Sequence, residues 1–454
     1  MKAPPWQQPV GMWAALASLT LAHASDSASL TDASLTDASP PAAIPEASWN
    51  WHTQNTIVVQ GHGHFNAPYE SDRSLQNYNE IRETISFDLT GGFRLWRGAE
   101  VFGDVMSWQG FGLGNAVGME SFPNGEAFRL GTKEPNVNLV RAFVRQTIGL
   151  GGATEAVADD PVNLAGSRDV SRVTVTVGKI SAKDIFDNNA YANNPRTQFL
   201  DWSLMANNAW DYPADALGYM TGTAIELNQP RWAVRYGFFQ TPQRSNGTAI
   251  DGSVLEAWGM VTEFEVRYAT GEHPGTVRLL GFLNRAHMGS YAEAVADLTR
   301  PADITLSREY RYKTGVGINC EQAITHDLGV FTRLGWSDGQ NEAWHFNDVD
   351  RTATAGLSWR GTAWHRPTDT LGLGGGWNGI SRHHQEYLMA GGLGILAGDG
   401  RLNYGWERFL ETYYDCTVAP WLHASVHYQF VANPSFNRDR GPVHIVGARV
   451  HWEF

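Results

Sequence analysis

One feature restricts this chain more than any other. Apolar and polar residues alternate strictly over runs of roughly ten residues, run after run. Ile57, Val59, Gly61, Gly63 and Phe65 fall on one side, and Val58, Gln60, His62 and His64 on the other. Val173, Val175 and Val177 alternate with Thr174 and Thr176. Phe264, Val266 and Tyr268 alternate with Glu263, Glu265 and Arg267. Leu422, Ala424, Val426, Tyr428 and Phe430 alternate with His423, Ser425, His427 and Gln429. A two-residue period places the two sets on opposite faces of a strand. A soluble sandwich gives the same alternation but uses shorter strands. So many long alternating runs predict an all-β fold: a transmembrane antiparallel β-barrel with one wet face and one in lipid. Strand starts are expected near residues 55, 82, 98, 137, 170, 220, 231, 260, 275, 309, 326, 351, 369, 404, 420 and 442. That makes about sixteen, the size that leaves an aqueous lumen. The segments near 98 and 404 are the least regular.

Composition agrees. After the first residues no apolar run is long enough for a membrane helix, yet the chain holds 18 Trp, 15 Tyr, 20 Phe and 48 Gly, with only 18% charged residues. Tight turns are expected at Asn228-Gln229-Pro230 and at Gly271 to Gly275, and long loops at 109–136, 181–219, 286–308 and 379–403. Short turns on one rim and long loops on the other are the outer-membrane pattern. The chain alternates to its last residue: Val446, Ala448, Val450, Trp452 and Phe454 share a face. An aromatic end of this kind is expected to engage the barrel-assembly machinery, with lipid around the wall.

At the other end, Lys2, the apolar stretch Val10 to Ala22 and the Ala22-His23-Ala24 site read as a signal peptide over residues 1–24. Residues 25–48 are rich in Ser, Ala, Asp and Pro, with Ser-Leu-Thr-Asp-Ala repeated, and read as a low-complexity linker. The barrel domain is expected over 49–454. A net charge of −13 argues against nucleic acid. Cys320 and Cys416 fall four strands apart in this count, too far to bridge, and are expected to be free.

The longest polar stretch follows the strand Val173–Lys179 and extends over about forty residues, against a usual four to six. Its aromatics argue for order. Asn194 suits a helix cap and Pro195 the first helical position, with Phe199, Leu200, Leu204 and Met205 as an apolar side. An ordered, amide-rich loop leaving a strand is a device for narrowing a lumen.

The run Val177-Gly178-Lys179, Phe186-Asp187-Asn188-Asn189, Tyr191-Ala192-Asn193, Pro195-Arg196-Thr197-Gln198-Phe199 and Trp210-Asp211-Tyr212-Pro213-Ala214 resembles the OprB-type carbohydrate-selective porins, as does His427-Tyr428-Gln429-Phe430-Val431-Ala432-Asn433-Pro434. The resemblance extends from about Trp49 to Phe454. It implies a sixteen-stranded barrel in the bacterial outer membrane, a lumen narrowed by inward-folded loops, and passive sugar uptake with no cofactor. Where the family has Gly-Gly after the penultimate Asn-Pro, this chain has Ser435-Phe436-Asn437, a difference confined to a turn.

Sugar passage calls for aromatic faces, amides that replace hydration, and charged groups that bind vicinal hydroxyls weakly. The loop offers Asp187, Asn188, Asn189, Tyr191, Asn193, Asn194, Arg196, Trp202, Trp210 and Tyr212. The constriction is assigned to Asp187, Asn188, Asn189, Tyr191, Asn193, Arg196, Trp210 and Tyr212. From the strands, Arg141, Arg145, Arg235 and Arg267 are expected across the lumen from Asp88, Glu226, Glu263 and Glu265, as opposed basic and acidic walls. The same residues also fit a self-neutralising, unselective lumen, and Asn, Asp and Pro serve turns and caps as readily as solutes.

Other readings have less support. His62 and His64 share a strand face but lack further ligands for zinc, and His383-His384 fares no better, so no metal is expected. Gly-x-Ser-x-Gly is absent, so no catalytic residue is assigned. Three alternatives stay open: a general or anion-preferring porin, an outer-membrane barrel hydrolase, and a secreted β-rich binding protein such as a lectin. Small sugars are the expected partners. An apolar outer wall is compatible with a monomer or a trimer.

Overall fold

The structure, a computed structural model, describes residues 45–126, 131–296, 302–346 and 348–454. The segment read as a signal peptide, 1–24, and most of the stretch 25–48 read as a linker lie outside the described residues. The strands are β1 (Trp49–His62), β2 (Glu80–Trp96), β3 (Ala99–Gly110), β4 (Thr132–Gly149), β5 (Thr154–Val157), β6 (Gly166–Asp169), β7 (Arg172–Ile180), β8 (Met220–Asn228) and β9 (Trp232–Gln240). They continue with β10 (Trp258–Thr270), β11 (His273–Met288), β12 (Glu309–Ala323), β13 (Leu328–Ser337), β14 (Arg351–Gly361), β15 (Arg366–Gly379), β16 (Glu407–Ala419), β17 (Leu422–Ala432) and β18 (Val443–Glu453). Sixteen of them close a barrel in which each strand pairs with its neighbour in sequence and β18 returns to β1. The exceptions, β5 and β6, form a separate hairpin inside the connection from β4 to β7. Their strands are too short to register as alternation, and the sequence pattern gives no sign of them.

Register explains why the alternation held. β1 pairs with β2 from Trp49↔Phe93 to His62↔Glu80 without a slip, so Thr56, Gln60, His62, Thr84, Ser86 and Asp88 all turn inward and are buried. Their neighbours Val59, Ile81, Phe87 and Leu89 face outward and are exposed. Outward aromatics gather at both rims: Trp49, Trp51, Phe93, Trp96, Trp232, Tyr268, Trp421 and Phe454 at one, Tyr312, Trp336, Trp377 and Trp406 at the other. Such girdles sit at the two lipid–water interfaces. Cys320 and Cys416 are free, on β12 and β16.

One rim carries tight turns such as Arg97-Gly98 and Gly271-Glu272, with 150–171 as its long exception. The other carries the long connections, including 181–219, 241–257 and 380–406. Short turns face the periplasm and long loops the exterior in barrels of this kind. Both ends of the barrel domain lie at the turn rim.

The 181–219 loop folds into the barrel. The helix expected from Asn194 is displaced, which corrects the sequence reading. Asn194 accepts from Arg196 N at 2.9 Å, but only a single turn follows. The α-helix α1 is Trp202–Met205, capped by Asp201, which accepts from Ser203 N. Tertiary bonds override local propensity here: Leu200 N and Asp201 N donate to Glu411 on β16 at 2.9 and 2.8 Å, and Asp201 is extended.

Candidate functional site

The loop is fixed across the lumen by inward side chains of widely separated strands. Arg333 of β13 donates to Asp187 Oδ1 at 3.1 Å, to Leu204 O at 2.6 Å and to Ala192 O at 2.8 Å. Asn319 of β12 donates to Asp187 Oδ1 at 2.7 Å, and Asp187 N donates to Glu263 of β10 at 2.7 Å. Arg449 of β18 donates to Pro195 O and Gln198 O, both at 2.7 Å. Arg196 reaches Asp88 on β2 and pairs with Glu126 at 3.0 Å. Close approach also needs space on the wall. The Tyr191 ring lies over Gly329, and Asn207 over Gly335, where any side chain would collide.

These contacts sort the loop residues assigned from sequence. Asp187, at φ 56°, is a buried hub, and Lys183 Nζ adds a bond to its Oδ2 at 3.2 Å. Asn189 is buried against Asn319 at 2.8 Å. Trp210 and Tyr212 are 3% and 4% exposed. They pack on each other at 5.3 Å between ring centres, and Tyr212 packs on Phe346 at 4.6 Å. Asn193 accepts from Lys183 at 3.0 Å. Trp202 joins the same aromatic cluster, and Asn194 is exposed. Four of the eight constriction residues therefore present little surface in this conformation. Asn188 differs: it is half-buried and opens onto water.

Asn188 lines a recess of about 240 Å³ between the loop and the wall of β4, β7, β8, β9 and β10. The wall residues Arg145, Glu226, Arg235 and Arg267 line it too. Cross-strand register sets their order. Glu226 faces Arg235, and Arg235 faces Glu263. Arg235 thus bonds Glu226 at 2.5 Å, Glu263 at 2.8 Å and Glu265 at 2.9 Å. Arg267 bonds Glu265 at 2.6 Å. Arg278 of β11 bonds Glu265 at 2.8 Å and Glu321 at 3.2 Å. This corrects the opposed walls expected from sequence: acids and bases are lateral neighbours in one ladder, because adjacent strands bring them side by side. Arg141 and Asp88 stand apart from it. Arg141 bonds Asp104 at 2.6 Å and Asp184 at 2.8 Å, with the Tyr219 ring at 5.0 Å.

Sequence reasoning missed Arg168, Arg172, Asp184 and Asn228, which share the recess. Arg172, at the start of β7, faces inward in phase with Thr174 and Thr176, so the alternation could have found it. Arg168 lies on β6 and left no pattern.

The sequence matches the model of the carbohydrate-selective porin, OprB family, over residues 72–454. Among solved structures it is similar to the high-pH structure of Pseudomonas putida OprB, with a TM-score of 0.69 and 17% identity over 90% of this chain and 94% of that one. It is also similar to the loop L8 deletion mutant of OmpT, an outer membrane protein of Vibrio cholerae (TM-score 0.47, 8% identity, 90% and 100% covered), and to Pseudomonas aeruginosa OccK2 (0.42, 10%, 89% and 97%). No curated protein matches the sequence. At these identities structural likeness speaks for the fold, and the sequence match for the family. Matched over most of its length and closed into the sixteen-stranded barrel, the chain belongs to the carbohydrate-selective porin OprB family and is a carbohydrate porin of the bacterial outer membrane.

Proposed function

We propose that neutral sugars, as single rings or short oligosaccharides, diffuse passively through the recess beside the inward loop, and that Asn188, Arg145, Arg235 and Arg267 bind them on the way. The ladder from Glu226 through Arg235 to Glu263, Glu265 and Arg267 carries this reading. Its guanidinium groups are already paired with carboxylates. A wall balanced in this way offers donors and acceptors side by side, which suits vicinal hydroxyls. Pairing each guanidinium of the ladder with a carboxylate weakens its hold on an anion. Weak, multi-site binding is what conduction requires. Asp187, Asn189, Trp210 and Tyr212 serve as the loop's internal frame and hold Asn188 in position. Asp88 fixes Arg196, and Arg141 fixes the start of the loop through Asp184. Tyr191 and Asn193, both half-buried, are read as secondary contacts. The family is one of channels rather than catalysts. The last strand, ending at Phe454, is read as the segment that the barrel-assembly machinery binds.

Planar-bilayer conductance of the refolded protein, titrated with glucose, maltose and xylose, tests the reading. Saturable block by one or more sugars is expected. Channels indifferent to all three would make this a general diffusion pore, and a strongly anion-selective reversal potential would contradict the balanced ladder.

A barrel hydrolase has one observation in its favour. Ser425 Oγ lies 2.9 Å from His427 Nε2, and His427 Nδ1 lies 2.8 Å from Glu411. However, Glu411 also accepts Leu200 N and Asp201 N, so this line anchors the loop. Ester hydrolysis abolished by Ser425→Ala would revive the alternative.

A further inference from the structure

We propose that the β5–β6 hairpin is a second, periplasmic constriction of the passage, with Arg168 as the residue that meets the sugar as it leaves. The proposal rests on the recess being the sugar site. The connection from β4 to β7 stands out on its rim. Its neighbours there are tight turns, whereas this one builds two strands, paired from Thr154↔Asp169 to Val157↔Gly166.

The tip of the hairpin points into the barrel. Leu164 is 1% exposed and joins the cluster that holds Phe102 and Phe143, inward residues of β3 and β4. The Asn50 amide, inward on β1, donates to Asp159 Oδ1 at 2.8 Å and to Asp160 O and Asn163 O at 3.0 Å. Arg145, a recess residue, donates to Val162 O at 2.7 Å. Ala47 N donates to Ala165 O at 2.9 Å. Segment 159–165 therefore lies inside the mouth, bonded to β1 and β4 from within. One buried leucine and a handful of polar contacts make it a docked element that can be shortened without touching the barrel register.

The β6 strand then presents its chemistry to the recess. Glu155 accepts from Arg168 Nε at 2.8 Å and from Arg172 Nη1 at 2.9 Å, which fixes two guanidinium groups side by side. The Arg172 side chain is 8% exposed, and that of Arg168 is 36% exposed. Both line the recess with Asn188. A solute that leaves the inward loop must pass this pair before it reaches the periplasm. The recess is thus bounded by the loop on one side and the hairpin on the other.

Sided bilayer recordings of oriented channels test this, with maltose added to either side. One variant replaces residues 155–168 by Asn-Gly, because Thr154 and Asp169 already form a pair that a two-residue turn can close. The other is Arg168→Gln in the full chain, which keeps the hairpin. The shortened variant should raise conductance and accelerate maltose association from the turn side at least threefold, with loop-side association unchanged. Arg168→Gln should alter turn-side association at least twofold at near-constant conductance. Unchanged turn-side association in Arg168→Gln, or unchanged conductance on shortening, would overturn the proposal. Wild-type channels blocked from neither side would instead overturn the recess as the sugar site. The conductance of the shortened variant would then still decide whether the hairpin narrows the mouth.

Discussion

Asp187 shows how one side chain can hold a whole loop. Burial by itself would raise its carboxyl, but the Arg333 guanidinium and the Lys183 ammonium, helped by the Asn207 N–H and the Asn319 amide, outweigh burial and hold it at about 2. A carboxyl depressed from 3.8 stabilises the loop above pH 3.8, and that stabilisation is lost as pH falls from 3.8 through 2. The shift corresponds to on the order of 2 kcal/mol. Channels should therefore become noisier and more conductive between pH 4 and 2. Asp187→Asn should show that noise already at pH 7 and respond less to acid; an identical acid response in the variant would remove Asp187 from the account. Arg235 makes a different prediction. Arg235→Ala leaves Glu226, Glu263 and Glu265 without their shared partner. Reversal potentials should shift toward cations. Sugar block should weaken about tenfold, the effect of losing a charged hydrogen bond of about 1.5 kcal/mol. Unaltered ion selectivity would mean that this ladder lies outside the conducting path.

At the scale of elements, the inward loop and the wall are separable. The strand register runs from neighbour to neighbour without the loop. Deleting Asn188 to Tyr212 should leave the barrel assembled, raise single-channel conductance and abolish sugar block. Unchanged conductance would place the loop outside the pore. The strands were legible because lipid outside and water inside impose one rule on every residue, and that rule has a period of two. Legibility failed where the lumen is not wet. On β3, Phe102, Met106 and Trp108 point inward and are buried, so apolar residues occupy the polar phase and blur the pattern near residue 98. Phe409 and Tyr413 do the same on β16. Gly329 and Gly335, small inward residues on one strand, were signs of a body packed against that wall. The loop's composition was legible, but its internal contacts were not. Asp187 and Trp210 look like ligands in sequence, and only tertiary pairing shows Asp187 tied to Arg333 and Asn319 of the wall and Trp210 packed within its own loop.

At the scale of the whole molecule, the barrel depends on one non-sequential pairing. Every other strand of the wall meets a sequence neighbour, but β1 must meet β18, at the far end of the chain. That seam runs from Gln54↔Glu453 to His62↔Ile445. It ends in a reciprocal pair, in which Thr53 N donates to Phe454 O at 3.0 Å and Phe454 N donates to Thr53 O at 2.9 Å. The Phe454 ring faces outward, 58% exposed, and stacks on Trp421 at 5.5 Å. An exposed aromatic at the turn rim adds little to a finished barrel beyond its lipid contact and this stack. We propose that its effect is larger before closure, when β18 is an unpaired edge with an apolar side. Closure across the full chain also carries the largest loop-closure entropy in the fold. Phe454→Ser keeps the backbone pair but removes the apolar handle. It should lower the yield of folded barrel in the outer membrane several-fold, read as the heat-modifiable band on electrophoresis, while the protein that does fold retains wild-type conductance. Normal yield would show that closure is governed by the β1–β18 register alone. Reduced conductance in the folded fraction would show that the ring also shapes the pore.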